Sequence, residues 1–163
     1  MPPDEDVTED LIGAYERVRA FFLSNPDDRC VVLFLHSFGD GMGFGVYQLV
    51  EDVLRRCSPS AVSAALPEAL ASQHASVRWW AAQIAADYPD HSLVPRLVEI
   101  VNGDFTDDER FAAALALQHS MHPAHDRATM QALLANEHQA EVAEMLADSL
   151  RQLSIPAANE EDR

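Results

Sequence analysis

A helical pattern that recurs at a fixed interval constrains this chain more than any other feature. Residues 76–103, SVRWWAAQIAADYPDHSLVPRLVEIVNG, read as two helices folded back on each other. Val77, Trp80, Ala81, Ile84 and Ala85 fall at three- and four-residue steps, the spacing of one helix face. Pro89 disfavours helical geometry at Tyr88 and ends that helix. Asp90 or Ser92 can cap the next one, whose apolar set is Leu93, Val94, Leu97, Val98, Ile100 and Val101. Asn102 and Gly103 tolerate positive φ and are expected to close it.

The unit recurs on both sides. Upstream, Leu66-Pro67-Glu68-Ala69-Leu70 matches Val94-Pro95-Arg96-Leu97-Val98. Downstream, ERFAAALAL from Glu109 matches VRWWAAQIA from Val77, so Arg78 falls on Arg110 and Ala81-Ala82 on Ala113-Ala114. A third copy without the Arg runs through MQALL from Met130 and EVAEMLADSL from Glu141. A period of roughly 30 residues is that of helical-pair arrays. These residues resemble the HEAT-repeat superfamily: a Pro-bearing first helix, then an Arg and small residues opening the second. The resemblance covers about residues 58–153.

The expected fold is therefore all-α, an α-α superhelix of HEAT-like antiparallel helix pairs. One domain is expected over residues 1–154, with N-terminal helices and a glycine loop in 4–57, repeats in 58–153 and a polar tail in 155–163. A chain of 163 residues buries about 70% of its unfolded surface. The expected helices cover residues 4–24, 26–38 and 46–56, one opened by Ser58 and Pro59, the central pair, one from Glu109, then 126–135 and 139–153. That makes nine helices and no strand. In the first, Val7, Leu11, Tyr15, Val18 and Phe22 share a face. As a terminal helix it is expected to cap the stack with a polar outer side. Thr106-Asp107-Asp108-Glu109 is a capping-box pattern.

Charge narrows the partners. The formal net charge is −16, with 27 acidic residues against 11 basic ones, every one of them Arg. Nucleic acid and anionic membranes need clustered cations against phosphate, so both are excluded as expected partners. A basic protein is compatible. Cys30 and Cys57 form no motif and read as reduced thiols of a cytoplasmic protein. The acidic start MPPDEDVTED lacks the order of a signal peptide. No apolar run approaches the roughly 20 residues of a membrane span.

Four features invite chemistry. The glycine loop FGDGMGFG follows an apolar run and precedes a helix, as phosphate-binding loops do. Its glycines alternate, however, and no Lys follows, so the expected role is a turn with Phe38 and Phe44 tucked into the core. His119, His122 and His125 stand beside Asp126, a donor set for zinc or iron, but Pro123 breaks any shared helix face. His36, Ser37 and Asp40 stand together, although triads are assembled from distant segments. No cofactor, metal or catalytic set is expected from these. Trp79, Trp80, Asp40, Asp104, Asp107, Asp108 and Glu109 remain as candidate contacts for a partner, an aromatic among acids.

The resemblance implies scaffolds, immunity proteins that block bacterial toxins, phycobilin lyase-like subunits or alkylpurine DNA glycosylases; the lack of a catalytic set points to a non-enzymatic protein-binding role, and the charge argues against the basic groove of a glycosylase. The leading expectation is an immunity or inhibitor protein occluding a basic toxin. A scaffold or regulatory subunit is the alternative, and a small-ligand or lyase-like enzyme the third. In resembling repeats the recurring Arg bonds a neighbouring repeat, and Asp87 or Asp90 is the expected partner of Arg110.

Overall fold

The computed structural model describes residues 1–122 and 125–152. Among these described residues the α-helices are α1 (Glu9–Ser24), α2 (Cys30–Leu35), α3 (Val50–Leu54), α4 (Pro59–Leu70), α5 (Ala75–Asp87), α6 (Val94–Asn102), α7 (Asp107–Ser120), α8 (Arg127–Asn136) and α9 (Ala140–Gln152). No strand occurs among the described residues, so CVVLFL is helical, as expected. The anticipated tail 155–163 lies outside the described residues.

Local chemistry sets most boundaries. The Ser58 hydroxyl accepts from Ala61 N–H, and Pro59 takes the first helical position, where its missing N–H costs nothing. Thr106 and Glu109 form the expected capping box at the start of α7. Asp90 caps a single 3-10 turn, His91–Leu93, that leads into α6. Gly103 differs from expectation, with an ordinary φ of −87°. Its requirement is space: a Cβ there would lie 2.5 Å from the Phe105 ring and 2.7 Å from Glu99 O.

The helices pack in order. α5 packs on α4 and α7, α7 on α6 and α9, and α9 on α8. On the other side α4 touches α2 and α6, and α6 touches α8. α5, α7 and α9 thus make one row and α4, α6 and α8 the other. The face of Val77, Trp80, Ala81, Ile84 and Ala85 is buried as read. α7 has neighbours on several sides, and Ala112, Ala113, Ala114 and Ala116 are all fully buried along it. Small side chains let helix axes approach closely there.

The N-terminal quarter departs most from expectation. The first helix begins at Glu9, capped by Thr8, and residues 4–6 form a separate 3-10 turn. The Asp4 carboxylate is engaged elsewhere, on the glycine loop. α2 is far shorter than 26–38. Asn25 closes α1 by donating to Phe21 O instead of capping α2. Asp27 accepts from Arg29 N–H two residues on, and Asp28 takes both the N–H and the hydroxyl of Ser58. Such side-chain bonds to backbone compete with a helical first turn. α3 begins at Val50 because residues 46–49 make tighter i to i+3 turns. The first helix also lacks a wholly polar outer side: Val18 is 50% and Phe21 57% exposed. Finally, Pro67 lies in the second half of α4 and Pro95 at the second position of α6, so the matched prolines are not equivalent.

Candidate functional site

The fourth residues of α5 and α7 are Arg78 and Arg110, as the sequence register implies. Arg78 bonds Glu109 Oε1 at 2.7 Å and Ser72 O at 2.7 Å, with its guanidinium carbon 5.1 Å from the Phe105 ring centre. Arg110 pairs with Glu137 at 2.5 Å and bonds Val101 O at 2.9 Å. Arg78 thus ties the turn before α5, and Arg110 the last turn of α6, to a carboxylate near the start of the next helix in its row. The expected partners of Arg110, Asp87 and Asp90, are replaced by Glu137, between α8 and α9.

This tie builds one wall of a cleft. Glu109 is 2% exposed, with Oε2 accepting from Thr106 N–H and hydroxyl and Oε1 from Arg78. Its charge is compensated inside the protein, so it is not a free anion for a partner. Above it opens a cleft of about 280 Å³ lined by Asp40, Met42, Ser76, Trp79, Asp108 and Glu109. Asp40 and Met42 come from the glycine loop, Ser76 and Trp79 from the start of α5, and Asp108 and Glu109 from the start of α7.

The glycine loop is fixed in place. Asp4 accepts from Met42 N–H at 2.9 Å and Gly43 N–H at 2.8 Å, and Asp4 N–H donates to Asp40 O. The Tyr47 hydroxyl accepts from Gly39 N–H at 2.9 Å. An internal carboxylate thus occupies the backbone donors that a phosphate loop would offer. Gly41 and Gly43 have φ of +106° and +56°, which glycine adopts without strain. Phe38 is buried as expected, but Phe44 is 67% exposed at φ +50°. Flanked by two positive-φ glycines, its side chain is carried outward.

Of the seven predicted contacts, Asp40, Trp79, Asp108 and Glu109 meet at this cleft. Asp104 and Asp107 are exposed nearby in sequence but do not line it. Trp80 is corrected to a core residue: it is 5% exposed, stacked on Phe38 at 5.2 Å and edge-on to Tyr47. Trp79 is half-buried and packs its ring against Trp80 at 4.7 Å.

The remaining candidates are dispersed. His119 Nδ1 bonds Ala86 O at 2.8 Å, and His91 Nε2 meets Asp126 at 3.0 Å. Asp126 also accepts from His122 N–H. No group of three or more metal-donor side chains converges among the described residues. His36, Asp40, His74 and Ser76 do share a second open cleft of about 410 Å³. Among the described residues no hydrogen bond links these four side chains, and the Ser76 hydroxyl faces Phe38 O at 3.5 Å.

Sequence reasoning missed Asp4 and Met42. Asp4 was legible only as a helix-start acid, and its role depends on a contact across 38 and 39 positions. No protein-family model, curated protein or solved structure matches this chain. No described helix is long and apolar enough to cross a membrane.

Proposed function

We propose that this chain is a protein-binding module built as a HEAT-like α-solenoid, whose acidic, aromatic cleft receives a basic segment of another protein. The observation that carries the reading is the convergence of Asp40, Trp79 and Asp108 from three separate segments on one cleft. A half-buried Trp between free carboxylates suits a guanidinium or ammonium group on an apolar stem, by cation–π contact and charge. The net charge of −16 adds long-range attraction for such a partner. Occlusion of the partner's working surface, without chemistry, is the mechanism that fits, and an immunity or inhibitor protein against a basic toxin is the form of it we favour.

The test is a display library of peptides carrying Arg or Lys beside apolar residues, followed by titration at several salt concentrations. Binding tighter than micromolar that weakens with salt and with loss of Trp79 supports the proposal. Selection of neutral or acidic peptides, or none, rejects it.

A scaffold or regulatory-subunit role has one observation in its favour. A groove of about 320 Å³ between α1 and α2 is lined almost wholly by apolar side chains, among them the exposed Val18 and Leu33. Contiguous apolar surface of this kind marks contact sites.

A further inference from the structure

Cys30 opens α2 and Cys57 follows α3, 27 positions later in the chain, yet their Sγ atoms lie 3.9 Å apart. Both thiols are free. Their surroundings differ. Cys30 is 1% exposed at a helix start, whereas Cys57 is 7% exposed in the turn after α3 and lines an open cleft of about 470 Å³ with Arg55, Asp87 and Tyr88. Burial, and then the neighbouring Cys57, push the Cys30 thiol up to about 12. Cys30 is therefore a poor first nucleophile, and Cys57, the more exposed of the two and the one that lines a cleft, is better placed to meet an oxidant.

We propose that Cys30 and Cys57 form a reactive dithiol that takes a small hydroperoxide as oxidant and closes to an intramolecular disulfide. The Cys57 thiolate attacks the terminal peroxide oxygen, the O–O bond breaks, and the departing alkoxide takes a proton to leave as alcohol, or as water from hydrogen peroxide. Cys57 is then a sulfenic acid. The Cys30 sulfur attacks Cys57 Sγ, the S–O bond breaks, and the leaving hydroxide takes the Cys30 proton to form water. Two thiols lose two electrons and two protons, and the hydroperoxide is reduced by the same two electrons. The sulfurs must close by about 2 Å to reach bonding distance. Cys57 lies in the turn after α3, with its N–H on Leu54 O and Ser58 tied to Asp28, so that movement falls to rotation of the two Cys side chains. The bond would enclose residues 31–56, which include α2, the glycine loop and α3.

The experiment treats the full chain with hydrogen peroxide, blocks remaining thiols by alkylation and maps peptides by mass. The expected result is a monomer joined from Cys30 to Cys57, lighter by two hydrogens, with a raised Tm that dithiothreitol reverses. In Cys30→Ser, dimedone should trap a sulfenic acid at Cys57, while in Cys57→Ser the Cys30 thiol should stay unmodified. Circular dichroism checks that each variant keeps its helices, and the map of the unaltered chain stands without them. Free thiols after methionine oxidation has begun, a disulfide only between two chains, or trapping at Cys30 in Cys57→Ser would overturn the proposal.

Discussion

Arg78 and Glu109 meet at 2.7 Å between the starts of α5 and α7, with side chains only 13% and 3% exposed. The same residue type at the same helical position, Arg110, reaches Glu137 one step further along. Two buried ion pairs in series thus fasten consecutive helices of one row. Neither is isolated, because each partner also bonds backbone, which offsets the cost of removing charge from water.

Removing one partner leaves the other buried and uncompensated. Arg78→Met or Glu109→Leu alone should therefore lower stability by about 3 kcal/mol. Arg78→Met with Glu109→Leu should recover part of that loss, since an apolar replacement of both leaves no stranded charge. Urea unfolding of the two single variants and the double variant measures the coupling, and independent additive losses would contradict it.

Part of the acid sensitivity should trace to Glu137. Burial pushes its carboxyl up, but the Gln139 N–H, the Arg110 guanidinium and the His138 N–H outweigh burial and hold it below the usual glutamate range. A carboxyl with a depressed folded pKa stabilises the fold above its unfolded value, about 4.3. That contribution is lost as pH falls through the lower folded value. The stability gap between the protein and Glu137→Gln should be level at neutral pH and shrink as pH drops below about 4. Denaturant midpoints across that range check the sign.

The glycine loop offers a contrast between two neighbouring sites. At Gly43, φ is +56° and an added Cβ would lie 2.7 Å from the Tyr47 ring. At Gly45, φ is +90° and nothing lies within 4 Å. Gly43→Ala should therefore cost about 2 to 3 kcal/mol through strain plus collision, and Gly45→Ala about 1 kcal/mol through strain alone. Thermal or chemical unfolding of the two variants gives the comparison. Equal losses would mean that the Tyr47 ring yields freely.

These contrasts indicate which parts of the fold were legible in the sequence. Features set by residues within a few positions could be read: the Thr106–Glu109 capping box, the Ser58–Pro59 helix start, and the buried face of α5. The register of Arg78 and Arg110 was legible because the two segments place Arg and the small residues after it at matching positions. Contacts between distant segments were not. Asp4 on Met42 and Gly43, Cys30 beside Cys57, and Asp28 on Ser58 have no local signature, and the two carboxylates hold a loop and a helix start. The choice between Trp79 and Trp80 was also hidden. α5 packs on both α4 and α7, so its buried arc is wide and periodicity alone does not place adjacent residues.

That choice supports the last prediction. Trp79 lines the cleft while Trp80 fills the core between Phe38 and Tyr47. Trp80→Ala should destabilise the fold by about 3 to 5 kcal/mol, the usual loss for a deleted core aromatic. Trp79→Ala should cost less stability, yet weaken binding of a selected basic peptide by about 2 kcal/mol, roughly thirtyfold. Asp40→Asn with Asp108→Asn should act differently, slowing association and flattening its salt dependence while leaving unfolding nearly unchanged. Stopped-flow association at two salt concentrations, beside equilibrium unfolding, separates these effects. If Trp79→Ala unfolds the protein as severely as Trp80→Ala, its ring belongs to the core and the cleft loses its anchor.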